Sequence, residues 1–302
     1  IVRTWTATDA SNNSSSGDQT IIVEDTTPPN VLTQNITIQL DENGTASITP
    51  ADVDGGSSDT CGTVTLAIDK STFDCSNVGA NTVTLSATDN NGNANTATAT
   101  VTIVDSVAPV VLTQDITVQL DASGNLSITP GDVDNGSTDA CGIASLSVVP
   151  YSFTCDNVGA NIVALTVTDF NGNVKTATAT VTVEDSVAPV AVAKDITIQL
   201  NADGNASIVA ADVEDGSNDA CGIATLAVSQ SSFTCENLGG NIVTLTVTDN
   251  NGNVSTATAV VTVQDITPPD LVVPDDVIVE IQTADGTEVS LTATATDSCD
   301  TD

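Results

Sequence analysis

One interval governs this chain. Asp25, Asp105, Asp185 and Asp265 are evenly spaced, and the same interval separates Cys61, Cys141 and Cys221, then Cys75, Cys155 and Cys235, then Asp89, Asp169 and Asp249. A period kept through loops as well as apolar runs means a tandem array of one small unit. The period divides the 302 residues into the end of one repeat (1–25), three full repeats (26–105, 106–185 and 186–265) and the start of a divergent one (266–302). The chain therefore reads as a window on a longer protein. An enzyme needs one asymmetric site, whereas identical modules supply reach, multivalency or both.

Charge narrows the partners. Each full repeat carries nine Asp/Glu against one Lys, and the whole chain has four basic residues for a net charge of −36. Nucleic acid and anionic membranes are disfavoured, no apolar run is long enough to insert in a bilayer, and the small partners this charge suits are cations. Like-charged neighbours should lie end to end rather than fold back on one another. With no histidine and no serine or cysteine beside a plausible base, catalysis has no support in the residues, and the chain is read as a non-enzyme.

Apolar residues alternate with Thr and Gln in Ile36–Leu40, Val83–Leu85 and Ala97–Ile103, the pattern of half-buried strands. Asp41-Glu-Asn-Gly44 and Asp89-Asn-Asn-Gly-Asn93 place Gly and Asn where a hairpin needs positive φ. No segment holds a helical period. The expected fold class is all-β: immunoglobulin-like sandwiches of about seven short strands, one per repeat. Trp5 aligns with Leu85, Leu165 and Leu245 and is expected in a core.

Six of the seven cysteines fall into three sets at a fixed fourteen-residue offset: Cys61 with Cys75, Cys141 with Cys155, and Cys221 with Cys235. Disulfides within each repeat are the reading this offset favours, with Cys299 left over. Regular pairing implies an oxidising, extracytoplasmic setting. Zinc is the competing reading, weakened by the lack of histidine and by only two thiols per repeat.

Oxygen ligands concentrate in two loops of each repeat. One contains Asp52, Asp54 and Asp59, with copies Asp132, Asp134, Asp139 and Asp212, Asp215, Asp219; the other is the hairpin that opens at Asp89, Asp169 or Asp249. In an immunoglobulin-like sandwich both should reach the leading end of the repeat, beside linker residues Asp25, Asp105 and Asp185. Hard oxygens around glycine turns suit Ca²⁺, which takes six to eight. Ca²⁺ at the joints is therefore the expected cofactor, and ordinary aspartate turns and caps are the alternative.

The proline-containing starts (Thr26-Thr-Pro-Pro29, Ser106-Val-Ala-Pro109, Ser186-Val-Ala-Pro189) and the Thr-Asp-x-Asn-Gly-Asn hairpin resemble the hyalin-repeat (HYR) family across essentially the whole chain. The phrases Asp115-Ile-Thr-Val-Gln-Leu-Asp121 and Ile128-Thr-Pro-Gly-Asp-Val-Asp134 are similar to repeat tracts of flavobacterial gliding-motility adhesins of the SprB-like kind. The resemblance implies an Ig-like sandwich, type IX secretion and a long cell-surface stalk. Other parts of the parent chain would then meet the outer-membrane motility and secretion machinery, and an extracellular surface or polysaccharide. The alternative is that the repeats themselves bind polysaccharide or a surface weakly and gain avidity through number. Many HYR units carry their cysteines on strands flanking the hairpin, so disulfide placement does not transfer. The same resemblance makes Thr26, Ser106 and Ser186, each just after a linker aspartate, candidate O-glycosylation sites, which intact-mass analysis of native material would test.

Overall fold

A computed structural model of the chain describes residues 1–281 and 285–300. By contacts it divides into two compact units, residues 1–114, 130–149 and 164–179, and residues 115–129, 150–163 and 180–302. The first holds the repeat 26–105 whole and the second holds 186–265 whole, while 106–185 contributes to both.

The repeat 26–105 is built around the hairpin of strands Gly79–Thr88 and Ala94–Val104. Val83, Leu85 and Ala87 on one strand and Ala99, Val101 and Ile103 on the other are buried, because alternate side chains of a strand share one face. The sheet has the order Ile36–Gln39, Ala94–Val104, Gly79–Thr88, Thr65–Ile68. Its outermost strand Ile36–Gln39 pairs parallel with the end of Ala94–Val104. A second sheet of Thr45–Ser47 and Thr72–Asp74 lies antiparallel. Leu40, Ile48, Val53 and Phe73 join the buried residues of the long hairpin in one core. The same arrangement recurs in 186–265, whose core gathers Leu200, Ile208, Val213 and Phe233 with Val243, Leu245 and Val261. This is the all-β, immunoglobulin-like sandwich the alternation predicts.

Two local expectations change. Asp41–Gly44 is a tight turn closed by Gly44 N–H to Asp41 O, yet its flanking strands enter different sheets, so it is a sheet-to-sheet corner rather than a hairpin. Each full repeat has six strands instead of about seven, since 30–33 makes only single bridges, Asn30 to Ser58 and Thr33 to Asp54. Pro28 and Pro29 ahead of it have no N–H to extend a ladder.

Strand direction decides where each loop lies. Thr65–Ile68 is antiparallel to Gly79–Thr88, which is antiparallel to Ala94–Val104, which is parallel to Ile36–Gln39. Thr45–Ser47 reverses through the Asp41–Gly44 turn, and Thr72–Asp74 reverses again. Between Cys61 and Cys75 the chain thus runs one way only, from the leading end of the repeat to the trailing end. The hairpin Asp89–Asn93 falls at the leading end; the Asp41–Gly44 turn, Cys75 and Val104 fall at the trailing end.

Strands Val2–Thr8 and Ser14–Thr20 form a two-stranded sheet. No second layer covers it among the described residues, so Trp5 is 55% exposed rather than in a core. Its ring lies beneath Arg3, and its N–H donates to Gln19 Oε1 at 3.0 Å. Strands Asp270–Val272 and Thr294–Thr296 pair in the divergent repeat. Residues 282–284 and 301–302 of that repeat lie outside the described residues. No helix among the described residues is long and apolar enough to cross a membrane.

Candidate functional site

The joint between consecutive repeats collects the groups that carry chemistry. After the last strand of the repeat 26–105, Asp105 Oδ1 accepts the Val107 N–H at 3.0 Å, which turns the chain into the next repeat. Asp25, Asp185 and Asp265 make the same turn. The loop aspartate Asp139 accepts the Cys141 N–H at 2.8 Å, so the loop presents the cysteine beside the linker. Carboxylate oxygens of Asp105 and Asp139 and the Cys141 sulfur lie within 4.8 Å of one another, as do Asp25, Asp59 and Cys61, and Asp185, Asp219 and Cys221. Asp265, Asp297 and Cys299 repeat the grouping in the divergent repeat.

The hairpin closes onto this group through an asparagine. Asp169 is 1% exposed, and its Oδ1 accepts the N–H groups of Asn171 and Asn173, both at 2.8 Å. The Asn173 amide donates to Asp169 Oδ2 at 2.7 Å and to the Asp105 carbonyl oxygen at 3.3 Å. Asn93 and Asn253 clasp Asp25 and Asp185 in the same way. Burial pushes the Asp169 carboxyl up, but the Asn173 side chain and the N–H groups of Asn173, Asn171 and Gly172 outweigh it and hold the group below the usual carboxylate range. Asp249 is shifted the same way for the same reasons.

A depressed carboxylate stabilises the fold fully above its unfolded pKa, ~4, and loses that contribution as pH falls through the lower folded value. Melting temperature should therefore fall with pH below ~4 in the native protein, and less steeply when Asp169→Asn and Asp249→Asn are combined. An equal acid slope in both would remove these hairpins as its source.

Cysteine pairing corrects the expectation from spacing. Cys75 is bonded to Cys141, Cys155 to Cys221 and Cys235 to Cys299, so each disulfide joins one repeat to the next. In-repeat pairs do not fit the strand directions: Thr65–Ile68 and Thr72–Asp74, seven strand residues at ~3.3 Å each, carry the chain one way from Cys61 to Cys75, while a disulfide needs Cα atoms within ~7 Å. Cys299 has its partner after all. Cys61 is unpaired and exposed, and the Asp25 carboxylate, with burial, Asp59 and Asp89, pushes its thiol up. The bond packs against the preceding repeat's corner turn: a Cβ on Gly44, whose φ is +71°, would lie 2.7 Å from Cys75 Sγ and 3.2 Å from Ala140 Cβ. Glycine is needed there for its φ and its size together.

The predicted metal set divides. Asp25, Asp59, Asp105, Asp139, Asp185 and Asp219 come together in pairs, whereas Asp89, Asp169 and Asp249 reach the same end with their oxygens already taken by N–H donors. The earlier loop aspartates do not join them. Asp52 and Asp212 cap their single-turn helices through Thr49 N–H and Val209 N–H. Asp54 and Asp134 receive Ser57 and Ser137 N–H. Asp54 and Ser58 are bridged to Thr33 and Asn30 in turn, so Asp54 is spent on its own corner, whose chain turns at Gly56 with φ +99°. Asp132 and Asp215 precede or follow the same corners and lie exposed. Thr26, Ser106 and Ser186 are exposed, with Ser186 Oγ 2.8 Å from Gln119 Oε1.

No known family matches the chain, and no curated protein does. Among solved structures it is similar to extracellular cadherin domains 1–4 of protocadherin gamma B7, at 11% identity over 88% of this chain and 83% of that one, TM-score 0.33. It is also similar to immunoglobulin domains 1–5 of Sidekick-1 (10%, 86% and 66%, TM-score 0.35) and to titin domains I67–I69 (10%, 78% and 99%, TM-score 0.36). At such scores nothing about this chain follows from them.

Proposed function

We propose that this chain is a non-catalytic spacer of an extracellular, cell-surface adhesin, a run of stalk repeats that holds an adhesive region away from its anchorage. The observation that carries the reading is the use of disulfides: they join repeats to each other rather than bracing single cores. Covalent joints serve a device that must keep its repeats in line, and they persist where the surroundings are oxidising. About eight net negative charges per repeat add mutual repulsion. Gliding motility and type IX secretion rest on the sequence resemblance alone.

One observation favours a cation at the same joints. Asp105 Oδ2 and Asp185 Oδ2 are buried with no hydrogen-bond partner, and each faces a second carboxylate, Asp139 or Asp219. Two such groups fit a cation whose remaining ligands are water, short of the full protein shell the sequence suggests, since a disulfide sulfur is a poor ligand for a hard ion. Ca²⁺ bound there would neutralise the pair.

Small-angle scattering on the full chain tests both readings. Reduction should loosen the joints of an array held in line and so lower the radius of gyration, while circular dichroism stays that of folded strands. Calcium added to chelator-treated protein should firm the same joints and raise it. Scattering unmoved by reduction would overturn the spacer reading, and scattering and melting temperature unmoved by millimolar calcium would leave these aspartates as turns.

A further inference from the structure

We propose that the disulfides make the chain a tether of limited extension, in which tension applied to its two ends bypasses most of the repeats 106–185 and 186–265; this rests on the spacer reading. The covalent route is short. It follows the backbone to Cys75, crosses to Cys141, runs to Cys155, crosses to Cys221, runs to Cys235 and crosses to Cys299. The chain inside each disulfide, closing separations of 66, 66 and 64 residues, bears no load while its bond holds.

Of the repeat 106–185, only 141 to 155 lies on the route. Residues 106–140 belong to the loop closed by Cys75 and Cys141, and 156–185 to the loop closed by Cys155 and Cys221. Both long strands, Gly159–Asp169 and Val174–Glu184, are therefore shielded, as are linker residues Asp105 and Asp185 with the hairpin clasp of Asn173. The loaded segment contains Ile143–Val149 and Ser152–Thr154. In the repeat 26–105, whose strand directions are set out above, the corresponding segment from Cys61 to Cys75 crosses from leading to trailing end once. A disulfide at each end of such a segment leaves the fewest residues under load.

The consequence is a length. At about 3.5 Å per residue, the fourteen residues from Cys141 to Cys155 reach ~50 Å at most, against ~280 Å for an unbridged repeat. Fully stretched, the oxidised chain reaches ~370 Å and the reduced chain ~1050 Å. Dithiothreitol converts each cystine to two thiols while it is itself oxidised to its cyclic disulfide, so reductant releases the hidden length one loop at a time.

Single-molecule force-clamp measurements on the full chain, held at its two termini, test this. The oxidised chain should stop near ~370 Å, and dithiothreitol should then add three steps of ~230 Å each. Cys75→Ser with Cys141→Ser should start ~230 Å longer and show two steps. Steps of only ~50 Å, which in-repeat bonds would give, or an oxidised chain that stretches as far as the reduced one, would overturn the inference. The native chain with reductant carries the test even where the double variant folds poorly. The three long steps together with scattering unmoved by reduction would retain the tether and remove the spacer reading. The converse pair would do the reverse.

Discussion

Non-reducing peptide mapping is expected to return Cys75 joined to Cys141, Cys155 to Cys221 and Cys235 to Cys299, with Cys61 as the remaining thiol. The pairing has an energetic consequence. In the chain-entropy model, closing a loop of about 66 residues contributes about 4 kcal/mol, compared with about 3 for a loop of 15. Replacing Cys75 and Cys141 together by serine should therefore destabilise the structure around that joint by about 4 kcal/mol in chemical denaturation. The repeat 186–265, stapled at both ends by the other bonds, should keep its own transition. Peptides that link Cys141 to Cys155 would contradict the strand directions as well as the disulfides. Loss of less than about 1 kcal/mol in the double variant would mean that the unfolded chain gains little freedom from the open bond.

Phe233→Ala is expected to cost about 3–5 kcal/mol, the range for removing a buried aromatic ring. The chain has four phenylalanines, and three of them, Phe73, Phe153 and Phe233, are the buried aromatic of a full repeat. Phe233 is 1% exposed among Leu200, Ile208, Val213 and Val243, and Cys235 and Cys299 pack against the same cluster. Truncation therefore opens a cavity in a core otherwise made of small aliphatic side chains, which collapse poorly around it. Phe170 is the control. It is 73% exposed on its hairpin, so Phe170→Ala should change stability by about 0.5 kcal/mol or less. Thermal or urea unfolding of the two variants separates these outcomes, and equal effects would mean that Phe233 does not anchor its core.

Much of the fold was legible because its signals are local. Alternation marked Gly79–Thr88 and Ala94–Val104, and the Asp-x-Asn-Gly-Asn phrase marked their hairpin. The convergence of linker, loop and hairpin was legible in part: Asp105 and Asp139 lie together, and the hairpin that opens at Asp169 reaches Asp105 through Asn173. Asp52 and Asp54 do not join them, and for Asp52 the signal was present in Thr49-Pro50, which starts a helical turn whose first N–H the Asp52 carboxylate caps. The parallel pairing of Ile36–Gln39 was hidden, since both partners show the same alternation whichever way they run.

The sequence by itself determined the period, the all-β class, the alternating core and the acidic surface, because each depends on residues close together along the chain. Only the tertiary structure decided the cysteine partners. A fourteen-residue offset looks like a small loop until strand direction is known, and direction follows from which strands share hydrogen bonds across the repeat. Once Thr65–Ile68 and Thr72–Asp74 run the same way, Cys61 and Cys75 stand at opposite ends of their repeat, and each thiol can reach only a neighbouring repeat.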